Sequence, residues 1–408
     1  MRILLEPGTY TLENVGDVAM LQVAVRRLQR QWPGAAIRVV TEAPERLADV
    51  CPGTEAIVTR KVTDVRKRRA GSAASRLLSL RVWKRWVGGK QNTRFSKPDA
   101  IAELLRRTDL LVVSGMGAIN DSFSARALRL LDTVEMAVDR RVPVAFFGQG
   151  IGPIRDPAFR ERVARALRRV DLLALRERLA GPRLLDEIGV PRNIVRVTGD
   201  DAIELAYDAR PQSIGAALGI NVRVAEYAGV DDTIVNAVRD VLRATLERVH
   251  ARVLPVPISH RHGGLDAKTN RALLRDIEPD SDGGATLLTS RDVIGQVGHC
   301  RVVVTGSYHA GVFALAQGVP VVALVNSTYY ADKFRGLADM FGGGCEIVAL
   351  RDDSFGSALS DAITRAWASA DHIRASLLTA AARQVHLGHD AYRELDALVA
   401  QTAAIARA

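Results

Sequence analysis

The stretch Thr305-Gly-Ser-Tyr-His-Ala-Gly-Val-Phe-Ala-Leu-Ala-Gln-Gly-Val-Pro-Val-Val-Ala-Leu324 constrains this chain more than any other. Arg301-Val-Val-Val304 before it reads as a short buried strand, and Thr305 to Gly311 reads as a turn. Ala310 to Gln317 reads as a helix, stopped at Gly318 with Pro320 just beyond, and Pro320–Leu324 reads as the next strand. Such a strand–helix–strand unit belongs in a parallel sheet, and ligands of open parallel sheets bind at the loops on the carboxyl ends of the strands. The helix N-terminus at that loop presents free N–H groups and a partial positive charge, which suits an anion. Ser307, Tyr308 and His309 sit at the junction.

The same alternation runs through the chain. Arg2–Leu5, Ala36–Val40, Leu110–Ser114, Val142–Phe147, Leu172–Leu175 and Ile194–Val197 read as strands, with helices such as Val18–Gln31 and Arg160–Arg169 between them. A second series begins at Ala217–Val222 and continues through Asp231–Val249, Arg252–Pro255, Asp292–Val297 and the unit described above. A Pro/Gly/Ser cluster, Ala209-Arg-Pro-Gln-Ser-Ile-Gly215, separates the two series. The expected architecture is α/β: two Rossmann-like, doubly wound domains over 1–209 and 216–374 that face a cleft, then an Ala-rich C-terminal helix over 375–408. The cleft is the expected ligand site.

Composition narrows the function classes. At 408 residues the chain exceeds one ordinary core, and 48% hydrophobic with 25% charged residues describes a soluble globular protein. No apolar run approaches the roughly 20 residues that cross a bilayer, and Met1–Leu5 reads as a first strand rather than a signal peptide. Cys51, Cys300 and Cys345 lie far apart without metal-ligand spacing, which fits a reducing cytoplasm and neither a disulfide framework nor a zinc site. The net charge of +10 is concentrated from Thr59 to Lys97, where thirteen Lys/Arg face one acid, Asp64. Inside that segment, a helix over 76–87 would gather Leu78, Val82, Trp83, Trp86 and Val87 on one side and Arg81, Lys84 and Arg85 on another. Two readings stand: a basic helix that packs its Trp residues on its own domain, or peripheral contact with the inner membrane face or an anionic, lipid-linked acceptor. No nucleic-acid-binding motif accompanies the patch.

Several loops carry chemistry. Asn14-Val-Gly-Asp17 opens the first helix, where Asn14 or Asp17 either caps the helix or meets a ligand. Ser114-Gly-Met-Gly-Ala-Ile-Asn-Asp121 and Gly148-Gln-Gly-Ile-Gly-Pro153 follow strand-like runs, and glycine there permits close backbone approach to a ligand. Neither has the spacing of a dinucleotide fingerprint, and no P-loop sequence occurs. Arg223 ends a strand, either as a cation facing the cleft or in a surface salt bridge. His260-Arg-His262 and Asp266 form a polar loop whose spacing offers no metal set, so neither metal nor cofactor is expected.

In order and spacing these loops resemble the polysaccharide pyruvyl transferase family over about residues 3 to 340. The residues that carry the likeness are Asn14, Gly16 and Asp17; Gly115 to Asp121; Gly148–Pro153; Arg176-Glu177, where the family usually has Arg-Asp; Thr198-Gly-Asp-Asp-Ala202; Arg223; His309 with Gly318-Val-Pro320; and Lys333. The resemblance implies a GT-B-like pair of domains that transfers a pyruvyl group from phosphoenolpyruvate to a sugar, usually as a ketal across two hydroxyls. It implies His309 as the proton-handling group, Arg223 on the donor's phosphate or carboxylate, and Asp17 with Asn120 or Asp121 on acceptor hydroxyls. Gly16, Gly115, Gly117, Gln149, Arg176 and Lys333 complete the implied substrate contacts, and His260, Arg261, Ser307 and Tyr308, from the two loops read above, are expected beside them. A donor with two anionic groups calls for the bidentate cations that arginine supplies.

One departure bears on the donor. The family signature usually has Arg two residues before the histidine, and here that position is Ser307. A buried charge-assisted contact of that kind is worth about 2–5 kcal/mol. Either Arg261 or Lys333 substitutes, or the donor is a nucleotide sugar, as in a GT-B glycosyltransferase, or the chain is a catalytically silent glycan-binding relative.

Overall fold

Apolar runs buried on both faces make parallel strands here, as Leu110–Val113 and Val321–Val325 illustrate with every residue buried. In the computed structural model, which describes residues 1–59, 94–95, 98–222, 232–351 and 354–405, these runs assemble into two parallel sheets. The first contains β1 (Arg2–Glu6), β2 (Ala36–Thr41), β3 (Glu55–Thr59), β4 (Arg94–Phe95), β5 (Leu110–Val113), β6 (Met116–Ile119), β7 (Val144–Ile151), β8 (Leu172–Leu175) and β9 (Val195–Val197). Its order is β4-β3-β2-β1-β5-β7-β8-β9, with β6 paired to β7. The second contains β10 (Ala217–Asn221), β11 (Val253–Pro255), β12 (Cys300–Thr305), β13 (Val321–Val325) and β14 (Cys345–Ala349), in the order β11-β10-β12-β13-β14. In each sheet the order reverses once, between β1 and β5 and between β10 and β12, and a crevice opens at such a reversal.

The sequence reading differs from the structure at several places. Glu55–Thr59, Met116–Ile119 and Cys345–Ala349 form strands that it does not mark, and the helix at His309 starts at Tyr308 rather than Ala310. Gly148–Ile151 is strand rather than loop: β7 continues through it by a register shift after Phe146, with Gly148 at φ +58° absorbing the extra residue. The segment after His260 is the helix Arg261–Leu274 rather than a polar loop. Its Asp266 is buried and accepts the N–H groups of Ile258 and Ser259, each at 2.9 Å, so it fixes the turn instead of facing a ligand. The C-terminal helix starts at Phe355 and runs to Ile405, since no Gly or Pro interrupts the sequence from Ser357 to Leu387.

That helix belongs to both halves. Leu359, Ala362 and Ile363 pack into the core of the second sheet, while Ala391, Tyr392 and Leu395 pack into that of the first. The first helix, Val15–Gln31, meets it through a buried ionic cluster. Arg27 is paired with Asp201 and Glu204, both at 2.7 Å, and lies 5.2 Å from the Tyr392 ring centre. His389 reaches the same Glu204 at 3.0 Å. The two halves also meet through backbone: the Val15 N–H donates to Ile258 and the His260 N–H to Glu13. The basic helix expected over 76–87 lies outside the described residues, and among the described residues no helix is long and apolar enough to cross a membrane.

Arg27→Met removes the cation between two buried carboxylates. It is expected to lower unfolding free energy by about 3–5 kcal/mol, read by guanidinium denaturation. A loss below about 1 kcal/mol would show that the cluster behaves as an exposed pair.

Candidate active site

The loop after β12 is tightened by its own side chains. The Ser307 N–H donates to Thr305 Oγ1 at 2.8 Å, and Ser307 opens the helix Tyr308–Ala316 without a side-chain cap. Every residue of that helix is buried, so Tyr308 and His309 are held by packing at the reversal between β10 and β12. From the other half the first helix arrives with Asn14 as its cap, accepting the Gly16 N–H at 3.0 Å and the Asp17 N–H at 3.2 Å. Gly16 lies directly against His309. A Cβ at Gly16 would come within 2.1 Å of His309 Cγ, so only glycine admits the imidazole there.

Arg176 follows β8 and is 4% exposed. Its guanidinium lies 4.1 Å from the Tyr308 ring centre, and its Nη1 is 3.6 Å from Asp200 Oδ2. Gly117 and Gly150 make room for it, since a Cβ at either would fall 2.8 Å or 2.6 Å from the guanidinium. The next residue, Glu177, accepts the N–H groups of Leu179, Ala180 and Gly181 at 2.6–2.9 Å and so anchors the helix Ala180–Glu187. Asp200 stands behind Arg176 and His309, with Oδ2 3.8 Å from His309 Nε2. Burial pushes its carboxyl up to about 7, with Arg176 pulling the other way.

Beside Arg176, Tyr308 and His309 lies a cavity of about 160 Å³. Asn14, Asp17, Gly117, Ser307, Tyr308 and His309 line it, together with the cations Arg126, Arg176, Arg261 and Lys333. Arg126 lies 4.8 Å from the Tyr10 ring centre, Lys333 lies 4.1 Å from that of Tyr329, and Arg261 donates to Thr9 Oγ1 at 3.0 Å. Arg176, Tyr308 and Lys333 form a wall shared with a larger cleft of about 440 Å³, which Tyr329, Arg155 and Arg183 also border. An anion in the small cavity meets four cations and one lining carboxylate, Asp17.

The remaining residues expected at the site lie elsewhere. Gly115 packs under Met20, whose Cε would be 1.7 Å from a Cβ there. Gln149 is wholly buried and ties β5 to β7 by donating to the Ser114 and Phe147 carbonyls. Asn120 donates to the Gly117 carbonyl and the Tyr329 hydroxyl and so shapes the wall from behind. Asp121 accepts the Arg155 N–H at 2.8 Å and borders a separate depression with Asp156 and Arg162. His260 is outside the lining, its imidazole pKa lowered chiefly by burial. Arg223 lies outside the described residues. Arg126, Ser259 and Tyr330 line the cavity without a motif to announce them, and Asp200 belonged to a quoted motif without a role.

Comparison with known proteins follows the same lines. The family model for polysaccharide pyruvyl transferase matches residues 14–328. No curated protein gave a significant match. Among solved structures, the UDP-GlcNAc 2-epimerase of Neisseria meningitidis bound to UDP-GlcNAc is 13% identical with a TM-score of 0.57, covering 98% of this chain and 100% of that one. The UDP-GlcNAc 2-epimerase of Methanocaldococcus jannaschii is 14% identical with a TM-score of 0.54, covering 90% and 93%. A glycosyltransferase of Rickettsia africae is 11% identical with a TM-score of 0.53, covering 98% of each chain. The fold is accordingly GT-B-like, two Rossmann-like domains facing a cleft.

Gly16→Ala is expected to displace the imidazole while the sheets stay intact. A misplacement near 1 Å costs about 10²-fold in rate, so transfer should fall by that order with an unchanged circular dichroism spectrum. Undiminished transfer would mean that His309 does not act from this position.

Proposed function

The chain belongs to the polysaccharide pyruvyl transferase family, and on that premise we propose that this glycan-modifying transferase moves a pyruvyl group from phosphoenolpyruvate to a sugar of a glycan or glycoside. The observation that carries the reading is the small cavity itself, a space of about 160 Å³ with four cations and His309 on its wall. Phosphoenolpyruvate is small and carries a phosphate and a carboxylate, so it matches that space in size and in charge. The Ser307 position lacks the family's arginine, and Arg261, Arg126 and Lys333 border the same cavity, where a cation can make up the loss.

In ketal formation the donor's methylene carbon gains a proton, a sugar oxygen bonds to the adjacent carbon, and a second hydroxyl then displaces inorganic phosphate. His309 is the imidazole on the cavity wall suited to carry those protons, help worth about 10²–10⁴-fold. Arg176 and Lys333 face both spaces, so the acceptor sugar is assigned to the larger cleft beside Tyr308 and Tyr329. Asp17 lines the small cavity as its one carboxylate and is the group assigned to an acceptor hydroxyl that reaches the donor there.

A nucleotide-sugar donor is the second reading, favoured by the fold shared with an epimerase solved with UDP-GlcNAc. Such a donor is too large for the small cavity alone, which is below the roughly 300 Å³ of common ligand pockets, and would have to occupy the larger cleft as well.

Calorimetric titration separates the two. Phosphoenolpyruvate is expected to bind tighter than about 1 mM, or −4.1 kcal/mol. Neutralising Lys333 or Arg261 should abolish binding, and Ser307→Arg should preserve or tighten it. No binding of phosphoenolpyruvate to either wild type or Ser307→Arg, with a UDP-sugar binding instead, overturns the donor. With the donor in place, His309→Ala should lose about 10²–10⁴-fold in transfer, and a rate equal to wild type would remove the imidazole from the mechanism.

A further inference from the structure

Asp200 stands one layer behind the small cavity, in the turn after β9. Its Oδ1 accepts the Ala202 N–H at 3.0 Å. Its Oδ2 is buried and accepts no hydrogen bond, yet it lies 3.6 Å from Arg176 Nη1 and 3.8 Å from His309 Nε2. A buried carboxylate oxygen without a donor is costly, so its persistence here needs a reason. The adjoining acid, Asp201, is engaged by Arg27 at 2.7 Å, so of the two it is Asp200 whose oxygen lies near the imidazole. The other charged or titratable groups around the pair are Asp17 and Tyr308 beside His309, Glu177 next to Arg176, and Arg126, Arg261 and Lys333 across the cavity.

We propose that Asp200 is a positioning residue for His309, its Oδ2 drawing the imidazole proton onto Nε2 and so leaving Nδ1 as the basic nitrogen. The separation of 3.8 Å is longer than a hydrogen bond, and contacts of this kind tighten when substrate closes the site. Arg176 braces the same oxygen from the other side, so the carboxylate cannot turn away without losing its only cation within 4 Å among the described residues. Burial brings the Asp200 carboxyl up to about 7, with the Arg176 guanidinium beside it pulling the other way. The inference rests on His309 as the proton-handling group of the proposed function, and holds for either donor.

The test is nitrogen NMR of the whole protein labelled at histidine, with His309→Gln identifying the resonance. Wild type is expected to show His309 as the Nε2–H tautomer at high pH. Asp200→Asn is expected to lower the His309 titration midpoint by at least about one pH unit, a tenfold weaker hold on the proton. An Nδ1–H tautomer in wild type overturns the assignment without need of a variant, so a poorly folding Asp200→Asn leaves the test intact. An unchanged midpoint in a folded Asp200→Asn overturns it as well. No donor is present in either measurement, so a failed phosphoenolpyruvate titration alongside an Nε2–H tautomer would remove the donor reading alone.

Discussion

A guanidinium buried at the meeting of two sheets is the constraint on which the rest of this structure turns. Arg176 cannot lose its charge, and burial of a lone cation would cost several kcal/mol. Its surroundings answer that cost with an aromatic face, a carboxylate and enough space. Tyr308 supplies the face at 4.1 Å, and such a contact away from water is worth about 2 kcal/mol. Asp200 supplies the charge. The space comes from Gly117 and Gly150, where any side chain would collide with the guanidinium. Glycine-rich segments in this chain therefore do two jobs: near Arg176 they admit a side chain of the protein itself, and only at Gly117 does the same freedom also border the cavity.

Tyr308 and Arg176 come from opposite halves, so the contact that shelters the cation also docks the domains. The cavity and the larger cleft lie on either side of that contact and share it as a wall. In the proposed reaction the small anion and the acceptor sugar would sit on adjacent faces of these same residues. Holding two reactants side by side in this way is worth up to about 7–11 kcal/mol of a reaction barrier.

The alternation of apolar runs and amphipathic segments made both sheets legible, because parallel strands buried on two faces leave a continuous apolar signature. The junction at His309 was legible for the same reason: Val302–Val304, Gly318 and Pro320 punctuate it clearly. The motifs located the walls of the cavity but not which side chains face inward. Gln149 and Asp121 sit in motif segments and point into the structure or away from the cavity, because strand alternation and a local turn decide their direction. Gly148–Ile151 read as a loop, since a bulged strand has the same glycine content as a turn. Arg126 carried no periodic or spacing signal, and Asp200 sat in a quoted motif that gave it no role; the place of each depends on tertiary packing, of a helix and of a turn. Ser307 in place of arginine was visible at once, and so were Arg176, Arg261 and Lys333 as candidate cations, whereas their convergence with Arg126 on one cavity became visible only in three dimensions.

The long C-terminal helix gives the molecule a mechanical bias. One rigid rod has its first stretch in one core and its last stretch in the other, and it is locked to the first helix by Arg27, Glu204 and His389. Pulling the halves straight apart would have to strip one apolar stretch from its core or bend the rod. Twisting about the rod's own axis would shear the core in which Val15, Ala19 and Met20 of the first half pack with Val256, Val293 and Tyr308 of the second. The rod is therefore one strut of a braced frame: Leu377, Ala380 and Ala381 join a core common to both halves, and the Val15–Ile258 and His260–Glu13 backbone bonds close the frame beside the cavity, so its two walls are held at a fixed distance.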